Sequence, residues 1–148
     1  MELSFTVGGR IAKPIHEVYE AVADPAKLSE YFTTGGARGR LDPGATVSWD
    51  FHDFPGAFPV QVEAAEQDRR IELSWPGDAS TGSPTRVIFD FEAIAPDRTL
   101  LRITESGWPD TAEGRRSSYQ NCEGWTGMLC AMKAWLEHGV KLRQGFYK

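Results

Sequence analysis

The chain has 148 residues, 41% of them hydrophobic and 25% charged, and a formal net charge of −5, which suits one globular domain over 1–148. The mild acidity argues against a nucleic-acid partner, which would need a basic face to displace counterions, and weakly against docking on anionic membranes. No segment is long and apolar enough for stable membrane insertion, and the start of the chain lacks the basic-then-apolar pattern of a signal peptide.

Leu3, Phe5 and Val7 alternate, predicting a strand over residues 3–11. Pro14 suits a first helical position, and Ile15, Val18, Tyr19 and Val22 follow at helical spacing. Asp24-Pro25 ends that helix, residues 27–32 form a second short one, and Gly35-Gly36 stops it. A series of alternating segments follows. Val47, Trp49 and Phe51 form one, Val60 and Val62 the next, then Ile71, Leu73 and Trp75, then Val87, Phe89 and Phe91, and finally Leu101, Ile103 and Glu105. Turns are predicted at Phe54-Pro55-Gly56, at Gln67-Asp68-Arg69-Arg70 and at Pro96-Asp97-Arg98, with loops over 76–84 and 107–114. Each strand has one apolar side, the mark of an antiparallel meander covered on one face. The period then changes. Trp125, Leu129, Met132, Leu136 and Val140 form a helical stripe, widened by Met128 and Trp135, on a helix predicted to begin within 110–118 and to end near Arg143.

The fold class is therefore α+β: a helix-grip arrangement of about seven curved antiparallel strands around a long C-terminal helix, with two short helices after the first strand. A helix about 10 Å across cannot fill a sheet roughly 30 Å wide, so an internal cavity is expected between them. Cys122 and Cys130 fall on the long helix about 12 Å apart, too far for a disulfide. Reduced thiols without an export signal predict a cytoplasmic protein.

Several motifs resemble the START-like, Bet v 1-like (SRPBCC) superfamily, closest to bacterial relatives of the C-terminal domain of the heat-shock-protein-90 ATPase activator. Ala12-Lys13-Pro14-Ile15-His16-Glu17-Val18-Tyr19 resembles the opening of that family's first helix, and Asp24-Pro25-Ala26-Lys27-Leu28 its next signature. Tyr31-Phe32 stands where the family usually has Trp-Phe, and Gly44 is what remains of a usual glycine pair. Thr104-Glu105-Ser106-Gly107-Trp108 resembles the end of the last strand. Gly124-Trp125, Leu129, Lys133 and Leu136-Glu137 resemble the C-terminal helix. The resemblance covers nearly the whole chain. It implies the grip fold and a choice among ligand carriers, cyclases, resistance proteins and chaperone activators, a choice that fold alone does not make.

The candidate ligand-binding set is Trp49, Phe51, Leu73, Trp75, Phe89, Phe91, Ile103 and Glu105 on inward strand positions, facing Trp125, Met128, Leu129 and Met132 on the helix. Such aromatic stripes are ordinarily filled core; the family likeness tips the reading toward a cavity for a small hydrophobic or amphipathic molecule. Counting by two from Leu101 and Ile103 turns Glu105 inward, where a carboxylate needs a partner or water. The plainer expectation is a strand-end side chain at the cavity mouth, solvated or bonded to an arginine; the functional one is a ligand-orienting acceptor or a general base. His16, His52 and His138 lie on different elements without ligand spacing, so no metal is predicted. No serine sits in a nucleophile elbow, and no phosphate-binding glycine run suggests a cofactor. The leading expectation is a noncatalytic carrier of a lipid, polyketide or aromatic metabolite. The alternatives are a cyclase- or hydrolase-like enzyme using Glu105, and a co-chaperone; a chaperone or a second copy is the protein partner considered.

Overall fold

A computed structural model describes residues 2–76 and 84–148. In chain order the elements are β1 (Glu2–Ile11), α1 (Ile15–Ala23), α2 (Pro25–Tyr31), β2 (Gly36–Arg38), β3 (Thr46–Phe51), β4 (Phe54–Glu66), β5 (Arg70–Trp75), β6 (Thr85–Ala95), β7 (Arg98–Pro109) and α3 (Ala112–His138). All seven strands form one antiparallel sheet in the order β1-β7-β6-β5-β4-β3-β2. Strands β2 to β7 run as a meander, and β1 returns to close on β7. This is the expected α+β architecture, a curved sheet with the long helix across it. Most of the predicted 76–84 loop, 77–83, lies outside the described residues. No helix among the described residues is long and apolar enough to cross a membrane.

Local chemistry explains the helix boundaries. Asp24 caps α2 by accepting from Ala26 N at 2.9 Å, with Pro25 at the first helical position. Thr111 caps α3 by accepting from Gly114 N at 3.0 Å. Burial alternates along β5, β6 and β7, placing Ile71, Leu73, Val87, Phe89, Leu101 and Ile103 under the helices with essentially no exposure. Tyr31 is fully buried and its hydroxyl donates to Ala21 O at 2.8 Å, tying α2 to α1; burial pushes its phenol well above the ordinary range.

Three boundaries differ from the sequence reading. The long helix stops at His138, short of Arg143, because Gly139 takes the left-handed conformation (φ 68°) and its N–H closes on Trp135 O. Val140, counted in the stripe, is accordingly exposed. Phe54-Pro55-Gly56 is strand and not turn. The chain reverses one step earlier, between the paired Phe51 and Phe54, where Asp50 accepts from Phe51 N and Gly56 N. Pro55 is tolerated because β4 pairs with β5 only from Gln61 onward. Trp108-Pro109, expected as loop, ends β7. Trp108 pairs with Leu3, stacks on Phe5 at 5.5 Å and is 1% exposed. Gly107, at φ +114°, and a register shift between Leu3 and Ser4 break the alternation just before it, which hid the extension.

An aromatic cleft over a buried carboxylate

Glu105 is neither solvated nor paired with an arginine. It is fully buried, and four neutral donor groups converge on it. Trp125 Nε1 donates to Oε1 at 2.7 Å, while Trp75 Nε1 and Thr85 Oγ1 donate to Oε2 at 2.9 and 2.6 Å. Asn121 Nδ2 spans both oxygens at 3.1 Å. Strand register builds half of this arrangement. Trp75 on β5 pairs directly with Thr85 on β6, and β7 lies alongside β6. Helical spacing builds the other half, since Asn121 and Trp125 are one turn apart on α3. Both carboxylate oxygens are thus occupied by donors that two strands and one helix hold in place.

Above this floor lies an open cleft of ≈ 490 Å³. Five rings circle it in contact: Phe32 with Phe51 (5.0 Å between centroids), Phe51 with Phe58 (6.0 Å), Phe58 with Trp75 (5.5 Å), Trp75 with Trp125 (5.3 Å), and Trp125 back to Phe32 (5.4 Å). Gln120, Asn121 and Gly124 supply the helix side. A Cβ placed on Gly124 would meet nothing within 4 Å, so its missing side chain opens room instead of admitting a close neighbour. A smaller recess of ≈ 340 Å³ continues past Asn121 toward Thr85, Trp108 and Ser117.

The segment after α3 folds back as the rim. Arg143 bridges Asp53 through Nε (3.2 Å) and Nη2 (3.1 Å), with the Asp53 side chain fully buried and that of Arg143 11% exposed. Its guanidinium also lies 5.0 Å from the Phe51 ring and 5.1 Å from Tyr147. Tyr147 packs toward Phe54 and, with Arg143 and Glu123, separates the cleft from a second groove of ≈ 490 Å³ on the outer side of α3, bordered by Tyr119, Cys122, Thr126, Cys130, Leu142 and Phe146.

Of the residues singled out in the sequence, Phe51, Trp75 and Trp125 line the cleft and Glu105 lies beneath it. Trp49, Leu73, Phe89, Phe91, Ile103, Met128 and Met132 sit in the packed core, and Leu129 borders a shallow recess beside β1. Phe32, Phe58, Asn121 and Arg143 were not singled out. Asn121 was within reach of the reasoning: a buried carboxylate calls for donors, and one turn back from Trp125 is an asparagine. Phe58 and Arg143 lie on chain whose course the sequence reading drew differently. His16 meets Asp68 at 2.9 Å and His52 meets Thr34. Among the described residues no three His, Cys, Asp or Glu side chains cluster as metal ligands would.

The model of the family described as activator of Hsp90 ATPase homolog 1-like protein matches residues 12–137. A search of curated proteins finds no match. Among solved structures, the protein SSP2350 from Staphylococcus saprophyticus is similar with a TM-score of 0.77 at 22% identity, over 95% of this chain and 96% of its own. The Aha1 dimer from Colwellia psychrerythraea gives 0.71 at 20%, over 94% and 98%. DynU16, from the dynemicin biosynthetic locus, gives 0.79 at 24%, over 95% of this chain and 49% of that one. At these identities the likeness is one of fold.

Proposed function

This chain belongs to the activator of Hsp90 ATPase homolog 1-like family, and on that footing we propose that it is a noncatalytic binding protein for a small hydrophobic or amphipathic molecule, held in the aromatic cleft. The observation that carries the reading is the closed circuit of five rings around open space, with a glycine where any larger side chain would intrude. The volume falls within the range of small-molecule sites, and apolar walls with a few fixed polar groups are their usual make-up. Flat rings along most of its wall favour an aromatic or polyketide-like guest over a plain acyl chain. That DynU16 comes from a biosynthetic locus suits the same reading. A cyclase or hydrolase using Glu105 as base would need a lone pair turned to the substrate, and both oxygens face donors of the protein. Two free thiols fit a reducing compartment such as the cytoplasm.

The test is a titration with 8-anilinonaphthalene-1-sulfonate and with 2-naphthol, comparing the native protein with Gly124→Leu. Saturable binding should weaken at least tenfold in the variant while its far-ultraviolet circular dichroism stays native. Absence of saturable binding by the native protein would remove the proposal.

A second reading concerns the outer groove. Tyr119, Leu142 and Phe146 leave an apolar patch exposed along it, and the similar Colwellia protein is a dimer. A second copy of this chain is the partner proposed for that patch. Sedimentation velocity from 5 to 500 μM should show self-association that Phe146→Glu with Leu142→Glu reduces; a monomer throughout removes it.

A further inference from the structure

We propose that Asn121 sets the cleft's specificity and selects aromatic ligands bearing a hydrogen-bond donor, a hydroxyl or an N–H. This rests on the cleft being a binding site. The amide of Asn121 cannot choose its orientation freely. Its Nδ2 lies 3.1 Å from both oxygens of Glu105, and the reversed amide would set oxygen against oxygen. The carboxylate therefore fixes the flip, which the hydrogen-bond network decides. Oδ1 is left pointing away from Glu105. Among the described residues nothing donates to it, and it is not a buried orphan atom. Asn121 lines both the cleft and the recess beyond it, which places that oxygen on the cavity surface.

The other polar groups of the floor are already engaged. The indole N–H groups of Trp75 and Trp125 and the Thr85 hydroxyl all turn down to Glu105. Among the described residues the floor thus offers a ligand one fixed acceptor, Asn121 Oδ1; the Glu123 carboxylate also lines the cleft, but at its rim beside Arg143 and Tyr147. Gln120 also reaches the cleft, but among the described residues no partner holds its amide, so it can turn either end to the guest and does not discriminate. A phenolic hydroxyl stacked among the rings can donate to Asn121 Oδ1. A methoxy or carbonyl oxygen in the same place meets a lone pair and displaces the water that would otherwise satisfy the amide oxygen. Glu105 is then a positioning residue, holding the selecting group without touching the ligand.

The experiment is isothermal titration calorimetry of the native protein and of Asn121→Leu with 2-naphthol and with 2-methoxynaphthalene, which differ in the donor. The native protein should bind 2-naphthol about tenfold more tightly, as one neutral hydrogen bond gained and one lone-pair clash avoided would give. In Asn121→Leu, checked for native circular dichroism, the preference should vanish while 2-methoxynaphthalene binds no more weakly than before. Equal affinities in the native protein overturn the selection and leave the cleft a binding site. A preference that persists in Asn121→Leu assigns the selection elsewhere and overturns the proposal too. Binding of neither compound overturns both readings. The native-protein comparison stands even if the variant does not fold.

Discussion

Replacing Glu105 with Gln removes a charge and one acceptor oxygen while keeping the outline of the side chain, and two large effects then oppose each other. Burying a carboxylate with no cation beside it costs several kcal/mol, which Gln would recover. Against this, hydrogen bonds to a charged acceptor contribute about 1.5–3 kcal/mol each, and those to a neutral one about 0.5–1.5 kcal/mol. Four donor groups are at stake. The best Gln arrangement keeps its oxygen toward Trp125 and Asn121 and turns its amide to Thr85 Oγ1, which can accept. Trp75 Nε1 then retains only its 2.9 Å contact with that hydroxyl. Because the donors are held by paired strands and a capped helix, they reorganise little in the native protein, and the lost charge assistance outweighs the recovered desolvation. The expected loss is about 2 kcal/mol for Gln. For Leu, which strands the Trp125 and Asn121 donors and leaves Trp75 only its Thr85 contact, it is about 4 kcal/mol at roughly 1–3 kcal/mol per unsatisfied buried donor. Urea unfolding followed by far-ultraviolet circular dichroism, which avoids the two tryptophans as probes, should show the midpoint falling with an unchanged m-value. A Gln variant as stable as the native protein would mean that burial of the charge outweighs its donors.

Arg143→Ala leaves the buried Asp53 carboxylate without its partner. The expected loss is about 3 kcal/mol, the lower end for a broken buried pair because the tail can lift and admit water; Asp53→Asn with Arg143→Ala should recover part of it in urea melts. Gly139→Ala forces a Cβ into the left-handed region at the end of α3 and should cost about 1 kcal/mol in the same assay. Glu137 is held below its ordinary 4.5 first by the Ala12 N–H and then by Lys133. A lowered carboxylate contributes stability that is present above 4.5 and lost as pH falls through the folded value. Glu137→Gln should therefore be less stable than native at pH 7, with the difference closing below pH 4.5 in thermal melts.

The order of elements was readable because strands and helices here keep clean periods of two and 3.6, with Asp24-Pro25 and a run of turn residues as punctuation. What escaped was set by partners distant in sequence. Trp108 belongs to β7 because Leu3 pairs with it across a bulge, and no local pattern announces that. The Phe51–Phe54 reversal depends on the Asp50 side chain reaching Gly56, while Pro55-Gly56 advertises a turn two residues later. Inward parity put Glu105 inside, but its four donors come from β5, β6 and α3, and only the fold brings them to one point.

The place of the cleft follows from side-chain size along one stripe of α3. A narrow helix against a wide sheet does leave a gap, but the gap need not survive everywhere. Where the stripe carries Met128, Leu129 and Met132, long flexible side chains reach the sheet and meet Phe89, Leu101 and Ile103 in a filled core. Toward the helix N-terminus the same stripe reads Ser117, Asn121 and Gly124, too short to span the distance. Trp125 stands at the junction, its ring against Phe89 on the core side and against Trp75 and Phe32 on the open side. A carboxylate at that junction would be a liability in a fully apolar core. Here it gathers the polar ends of Trp75, Trp125 and Asn121 and leaves their remaining faces to the cleft. The same residues that satisfy Glu105 therefore fix the walls and the acceptor that the floor turns to a guest. Filling the gap by Gly124→Leu should extend the packed core by one turn, so the variant should be no less stable than the native protein to urea even as it loses the cleft. A large loss of stability would mean that the space is closed in solution and that the helix stripe does not govern where it lies.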